Sequence, residues 1–326
     1  MKQLRIISLF SGYGTQELAL KYAGINYINI ANCDILKNAN IAYDSLHKTE
    51  LGNLGDVKKI DEKNFPECDF LTYSFPCQDI SLAGVQRGIK QGTRSGLLYE
   101  VERIVSYNKP KYLLMENVKN LVSKNHITQF KEYINTLSSL GYGSSWIVLN
   151  GADFGCAQNR ERVFMFSILN ESHDYVNEKL YSVVKRQQKL VSMRDFLESD
   201  VDASFFINPP IELVETKDKG ICKLLAKRLD RKFEQRRRIY PIDACSPCLN
   251  TTDITQIMLD DGRIRFITPR EAYRFMGVKD DDIDKLLLTN IKWNKHVALA
   301  GNSICVPVMK EIFEIFFEEF INKKEE

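Results

Sequence analysis

Over its first 170 residues the chain alternates short apolar runs with segments of helical spacing, and this alternation limits the folds open to it. Residues 4–10, 27–31, 70–75 and 112–115 read as buried strands, and 15–22, 39–46, 98–107 and 129–140 as helices between them. Residues 146–149 and 162–168 follow as a late strand pair. Such alternation predicts an α/β fold, a mostly parallel sheet covered on both faces. Ligands of open α/β sheets bind outside the carboxyl ends of the strands. The residues just past each apolar run are therefore the ones to examine.

Those ends carry chemistry. The first strand runs into Leu9-Phe10-Ser11-Gly12-Tyr13-Gly14, where glycines allow a tight turn and close backbone approach to a ligand. Asp34 follows the second strand, suited to ribose hydroxyls, and Asp56 is expected beyond a third strand, suited to an exocyclic amine. The third glycine of a dinucleotide fingerprint is missing, and Glu17 stands in its place. An acid near a helix N-terminus would repel a pyrophosphate. A nucleoside without phosphates fits better, and S-adenosylmethionine is the common one. The other two ends are Pro76-Cys77-Gln78, after the strand at 68–75, and Glu116-Asn117-Val118, after the run at 111–115. A thiol and a carboxyl placed together suit covalent attack on an electron-poor ring, with the acid holding a ring nitrogen. Alone, each has a plainer reading: Cys77 as a small buried hydrophobe and Glu116 as a helix cap or ion-pair partner.

Beyond residue 170 the texture changes. Residues 171–220 are charged and weakly periodic, with Pro209-Pro210 as a breaker. A basic stretch spans 223–240; its 227–238 part reads as a charged helix face able to meet phosphates. Short strand-like pieces surround the turn Asp260-Asp261-Gly262, and 306–321 is again helical and apolar. With 326 residues, 44% of them hydrophobic, one large domain and a smaller second one are expected. The net charge of +2 excludes a global polycation, so any nucleic-acid surface must be a local patch. Eight scattered cysteines suit a reduced, cytosolic chain, and the apolar run at 6–10 is too short for a signal peptide. No stretch approaches the ~18 apolar residues of a membrane span. Cys245-x-x-Cys248 lacks a second pair at metal spacing, and the four histidines show none, so no metal site is expected.

Taken in order, these blocks carry a family pattern. Leu9 to Gly14; Gly55-Asp56-Val57; Ser74-Phe75-Pro76-Cys77-Gln78-Asp79-Ile80-Ser81; Thr93-Arg94-Ser95-Gly96-Leu97-Leu98; Glu116-Asn117-Val118; Gln158-Asn159-Arg160-Glu161-Arg162-Val163-Phe164; Pro269-Arg270-Glu271-Ala272-Tyr273-Arg274; and Gly301-Asn302-Ser303-Ile304 together resemble the C5-cytosine DNA methyltransferases of bacterial and phage type, across nearly the whole chain. One departure is Thr15, where the family usually has a glycine.

The resemblance implies a Rossmann-like, S-adenosylmethionine-dependent, doubly wound sheet with a smaller target-recognition domain. The catalytic part would be 1–185 completed by 290–326, and the recognition part and hinge 186–289. Cys77 would be the nucleophile and Glu116 the acid at cytosine N3, with Arg160 and Arg162 supporting the ring and the carboxylate. Phe10, Gly12, Gly14, Asp34, Ile35, Asp56, Val57, Pro76, Leu98 and Asn302 would hold the cofactor. Residues 269–274 would brace the small domain. Gln78, Ser81, Arg87, Arg94, Arg236 and Arg237 would meet DNA, and residues 79–97 would act as a lid over a flipped base. The substrate would be duplex DNA, and the enzyme a cytoplasmic monomer, working beside a cognate restriction endonuclease or as an orphan. A tRNA cytosine methyltransferase and a non-catalytic DNA-binding protein on the same scaffold are the alternatives.

Overall fold

The computed structural model describes residues 2–76, 95–214 and 221–321. Contacts divide the chain into two units, one of Met1–Leu149, Glu161–Gln187 and Val308–Glu326, the other of Asn150–Arg160 and Gln188–Pro307.

The first unit is built in the predicted order: β1 (Leu4–Leu9), α1 (Thr15–Tyr22), β2 (Tyr27–Cys33), α2 (Lys37–Leu46), β3 (Phe70–Tyr73), α3 (Leu98–Asn108), β4 (Tyr112–Val118), α4 (Ile127–Ser139), β5 (Tyr142–Asn150), β6 (Glu161–Leu169) and α5 (His173–Ser182). Its sheet has the order β2-β1-β3-β4-β6-β5. The β1–β2, β1–β3 and β3–β4 pairs are parallel, and β4–β6 is antiparallel. The chain moves outward from β1 to β2 and then returns to β1's other side as β3. This reversal is the topological switch point, where open sheets leave a crevice. The turns that follow β1 and β3 therefore flank it.

Both faces of the sheet are covered, which is why its strands read as continuous apolar runs. Ile7, Leu9, Leu71, Tyr73, Leu113 and Met115 pack with Val101, Ile104, Phe130 and Leu137. On the other face Phe70 meets Phe313 and Phe317 edge-on, and Phe166 stacks on Phe316 at 3.7 Å. Thus the C-terminal apolar segment packs on the first unit as its composition predicts, as a helix over Val306–Phe316 and a short turn over Glu318–Phe320.

The second unit holds a six-stranded sheet of short strands, β7 (Phe206–Ile207), β8 (Ile211–Leu213), β9 (Ala226–Arg228), β10 (Arg238–Pro241), β11 (Gln256–Met258) and β12 (Ile264–Phe266), in the order β7-β12-β11-β10-β9-β8. One apolar cluster on this sheet joins Ala226, Ile239 and Ile264, with Ile207, Ile211 and Met258 against them. Arg265 is fully buried and forks onto Glu271 through two bonds of 2.8 and 2.7 Å. Four helices complete the unit, α6 (Glu234–Arg237), α7 (Pro269–Phe275), α8 (Asp280–Leu287) and α9 (Trp293–Gly301). Thr268 caps α7, and Glu271 returns a bond to the cap's own N–H, with Pro269 opening the helix. Arg270 then pairs with Asp280 and Asp284 of α8, and Arg274 with Asp280. The block at 269–274 thus ties α7 to α8.

Two expectations are corrected here. The run 227–238 is not one helix face: it is β9, a turn, the four-residue α6 and the start of β10, because Ala226 and Ile239 alternate into that apolar cluster. Residues 173–182 form a helix capped by Ser172 within a segment read as weakly periodic. Residues 150–160 and 290–307 make their contacts within the second unit. Gln158 and Arg160 bond to Leu249 and to the backbone at 301–303, while α7 packs on α9. Among the described residues no helix is long and apolar enough to cross a membrane.

Candidate active site

The turn after β1 is held in an uncommon backbone form. Phe10, Gly12 and Gly14 all have positive φ, of 56°, 57° and 82°. For Phe10 this is a rare and strained state, of the kind that collects at ligand sites. Gly14 has a second reason to be glycine: a Cβ there would stand 2.4 Å from the His47 ring. The N–H of Gly12 donates to Asp34 Oδ2 at 2.9 Å, and that of Leu36 donates to Asp34 Oδ1 at 2.8 Å. One carboxylate at the end of β2 therefore organises the glycine turn at the end of β1. Burial pushes the Asp34 carboxyl up, against the pull of these N–H groups. Beside it Ile35 is 71% exposed, an apolar side chain standing in solvent at a strand end. Val57 and Leu98 are buried, Leu98 as the first residue of α3.

Asp56 departs from the expectation. It does not follow a strand: it caps a short turn over Val57–Lys59, accepting from the Lys58 N–H at 3.1 Å. Glu17 departs as well. It faces inward, fully buried, accepting from Ser8 Oγ at 2.5 Å and Tyr43 Oη at 2.9 Å. Burial raises its carboxyl toward the neutral form. The argument that Glu17 repels phosphate at the turn therefore fails; the shape of the turn and Asp34 remain.

The second cluster lies where β3, β4 and β6 end or begin. Tyr73 pairs with Met115 in the β3–β4 ladder, so the next residues of each strand leave side by side. Asn117 Nδ2 donates to the carbonyl of Phe75 at 3.0 Å. That bond pins the backbone immediately before Pro76 to the residue after Glu116. Glu116 is buried, and Arg162 Nε lies 3.2 Å from its Oε1, with side-chain exposures of 15% and 8%. The antiparallel register places Val118 opposite Arg162, which makes Glu116 a diagonal neighbour on the same face. Arg162 Nη1 also donates to the Glu161 carbonyl at 2.8 Å, which fixes the fork. A carboxyl held this way can meet a flat heterocycle edge-on. Cys77, Gln78, Ser81, Arg87 and Arg94 lie outside the described residues, as does the lid expected at 79–97 apart from its last three residues.

The remaining predicted residues lie in the second unit. Arg160 is buried, and its guanidinium donates to the carbonyls of Leu249, Gly301 and Ser303. Asn302 is the exposed C-cap of α9, between buried Gly301 and Ser303. Arg236 is exposed, paired with Asp253 at 2.6 Å and set over the Phe233 ring. Arg237 donates to the Arg228 carbonyl at 2.8 Å. Cys248 is exposed and lies 3.2 Å from Arg160, while Cys245 is buried. Sequence reasoning gave no role to Asn117 or Phe233. Asn117 was visible beside Glu116 inside its block; Phe233 was visible as an aromatic between basic residues, which is a nucleic-acid signal.

The family model for C-5 cytosine-specific DNA methylase matches residues 4–318. The Type II methyltransferase M2.ScrFI of Lactococcus lactis subsp. cremoris is 36% identical, over 97% of this chain and 99% of its own. The orphan methyltransferase M.SssI of Spiroplasma monobiae is 34% identical, over 84% of this chain and 72% of its own. The crystal structure of the S. pombe Dnmt2 methyltransferase shares the fold, with a TM-score of 0.74 at 22% identity over 97% of this chain and 99% of that one. Matched over nearly its whole length, the chain belongs to the C-5 cytosine-specific DNA methylase family and is a cytosine-C5 DNA methyltransferase.

Proposed function

We propose that this chain methylates carbon 5 of a cytosine swung out of duplex DNA, through a transient bond between Cys77 and ring carbon 6, with S-adenosylmethionine as the methyl donor. The observation that carries the reading is the Glu116–Arg162 pair beside the Phe75–Asn117 bond. It holds an oriented carboxyl next to Asn117, which is bonded to the backbone just before Pro76.

The residues divide the work. The Cys77 thiolate adds to C6, which loads electron density onto C5. Glu116 bonds ring N3, making C6 the better electrophile, and Arg162 keeps the carboxyl oriented and supports the ring. Bound S-adenosylmethionine supplies the electrophilic methyl that the C5 electron pair takes. Loss of the C5 proton, to a bound water, then restores the ring and expels the thiolate. The donor fits the first cluster: the strained turn brings backbone close, Asp34 suits ribose hydroxyls, Asp56 an exocyclic amine, and exposed Ile35 a flat apolar face. Phe10, Pro76, Leu98 and Asn302 are assigned to the same donor.

Extruding the base costs a few kcal/mol of stacking and pairing. Arg87 and Arg94, with Gln78 and Ser81, are assigned to this step, and Arg236 and Arg237 to the phosphates. The enzyme acts in the cytoplasm as a monomer, as the modification partner of a restriction endonuclease or as an orphan; one similar enzyme is named a Type II methyltransferase and another an orphan methyltransferase.

Incubation with tritiated S-adenosylmethionine tests the reading. Duplex DNA should be labelled by the wild type and not by Cys77→Ala, and DNA carrying 5-fluorocytosine should remain covalently attached at residue 77. Label on tRNA with none on duplex DNA would refute the substrate, and label with Cys77→Ala would refute the nucleophile.

A further inference from the structure

Arg160 binds main-chain oxygens from two segments. Its Nη2 donates to the carbonyls of Gly301 at 3.0 Å and Ser303 at 2.6 Å, which flank Asn302. Its Nη1 donates to the Leu249 carbonyl at 3.2 Å and lies 3.2 Å from Cys248 Sγ. The same segments meet again without Arg160. A Cβ on Gly301 would stand 2.5 Å from the Asn250 carbonyl oxygen and 3.1 Å from its Cα, so Gly301 is glycine for space. Arg160 is itself anchored, its N–H donating to Asn150 Oδ1 at 2.9 Å and its carbonyl accepting from Gly151.

We propose that Arg160 is a positioning residue: it clamps the Gly301-Asn302-Ser303 turn to residues 248–250 and thereby fixes the backbone that carries Asn302, the residue assigned to the methyl donor. This rests on the assignment of Asn302 to the cofactor. It replaces the expectation that Arg160 supports the ring. A rigid fork suits the task, because its donors reach carbonyls from two segments at fixed angles. A lysine ammonium is a point charge and cannot hold both carbonyls beside Asn302 and the one at Leu249 in the same geometry. An exposed Asn at a helix end is otherwise free to turn, and each rotamer that must be ordered on binding weakens affinity.

Calorimetric binding of S-adenosylhomocysteine to the full chain, without DNA, tests this. Arg160→Lys should weaken binding roughly 10-fold or more, the loss expected for charged hydrogen bonds removed from a buried site. Asn302→Ala should weaken it too. The double variant should be no weaker than Asn302→Ala alone, within about twofold, because nothing remains to aim. Gly301→Ala leaves the charge in place and displaces the Asn250 carbonyl instead; it should give the same loss and the same non-additivity, and it carries the cycle if Arg160→Lys does not fold. At saturating donor, turnover should fall less than affinity. The inference is overturned if Arg160→Lys binds like the wild type. It is also overturned if its loss multiplies with that of Asn302→Ala, or if turnover collapses with affinity intact, as a ring contact would require. A wild-type protein that binds no S-adenosylhomocysteine would overturn the cofactor assignment itself, and the inference with it.

Discussion

Replacing Arg265 by methionine should cost the second unit more than replacing both Arg265 and Glu271. The pair is shut away from water, with side-chain exposures of 2% and 0%, and its two bonds measure 2.8 and 2.7 Å. The Glu271 carboxylate also accepts from the N–H groups of Thr268 and Glu198, both at 2.9 Å. Removing the arginine alone leaves an anion among two neutral donors. A buried charge stripped of its partner costs about 3–5 kcal/mol. Replacing Glu271 by Gln alone strands the guanidinium and should cost about as much. In Arg265→Met with Glu271→Gln no charge is left inside, and glutamine can still serve the Thr268 cap. That double variant should lose only about 1–2 kcal/mol, less than either single change. With a slope of about 2 kcal/mol per M urea for a unit of this size, each single variant moves the midpoint down by roughly 1.5–2.5 M. The two tryptophans separate the units: Trp146 lies in β5 of the first and Trp293 opens α9 of the second. Measured in Trp146→Phe and Trp293→Phe backgrounds, the shift should appear in Trp293 fluorescence. The reasoning is refuted if Arg265→Met stays within about 1 kcal/mol of the parent, or if the double variant costs the sum of the singles.

Glu116→Gln keeps shape and removes the acid; turnover should fall about 10²- to 10⁴-fold with S-adenosylhomocysteine affinity unchanged, and turnover within tenfold of wild type would count against the assignment. Gly14→Ala forces a Cβ to within 2.4 Å of His47 at a φ of 82°, whereas Gly12→Ala meets nothing within 4 Å, so thermal melts should show Gly14→Ala as the worse of the two, by about 1–3 kcal/mol. His296 is buried against Tyr273, and burial pushes its ring down to about 4. The unfolded chain, near 6.5, then binds the extra proton between pH 6.5 and 4, so folding stability falls as pH drops through that window, by roughly 3 kcal/mol in all. Urea midpoints at pH 5 and 7 should differ less in His296→Gln than in the parent; equal differences would remove His296 from the account.

What the sequence made legible was local. The turn at Leu9–Gly14 and the acid after 111–115 could be read because an apolar run and its breaker lie within a few residues of each other. The strand order could not be read, because nothing local says that the chain crosses from β2 back to the other side of β1. Glu17 was misplaced for a similar reason: its partners Ser8 and Tyr43 come from β1 and α2, and only packing turns it inward. Asp56 was given a third strand that the chain does not form, since a carboxylate capping a short turn leaves the same trace in sequence. The run 227–238 looked helical by charge, and its fate was decided by two apolar residues at its edges, Ala226 and Ile239.

Arg160 and Arg162 show where local reading stops. Two residues apart in a strand, they would point to the same face and share one task. The strand begins only at Glu161, however, and the Arg160 N–H is drawn off to Asn150 Oδ1. Arg162 therefore follows the pleat of β6 to Glu116, while Arg160 belongs to the other unit and serves carbonyls 89 to 143 residues away. The division of the chain falls between residues 160 and 161. One short block thus orients the Glu116 carboxyl with one guanidinium and holds a backbone turn with the other. A substitution at either arginine should weaken methylation, by different routes. Turnover is the sensitive measure for Arg162 and donor affinity for Arg160, and an assay of overall activity alone would not tell them apart.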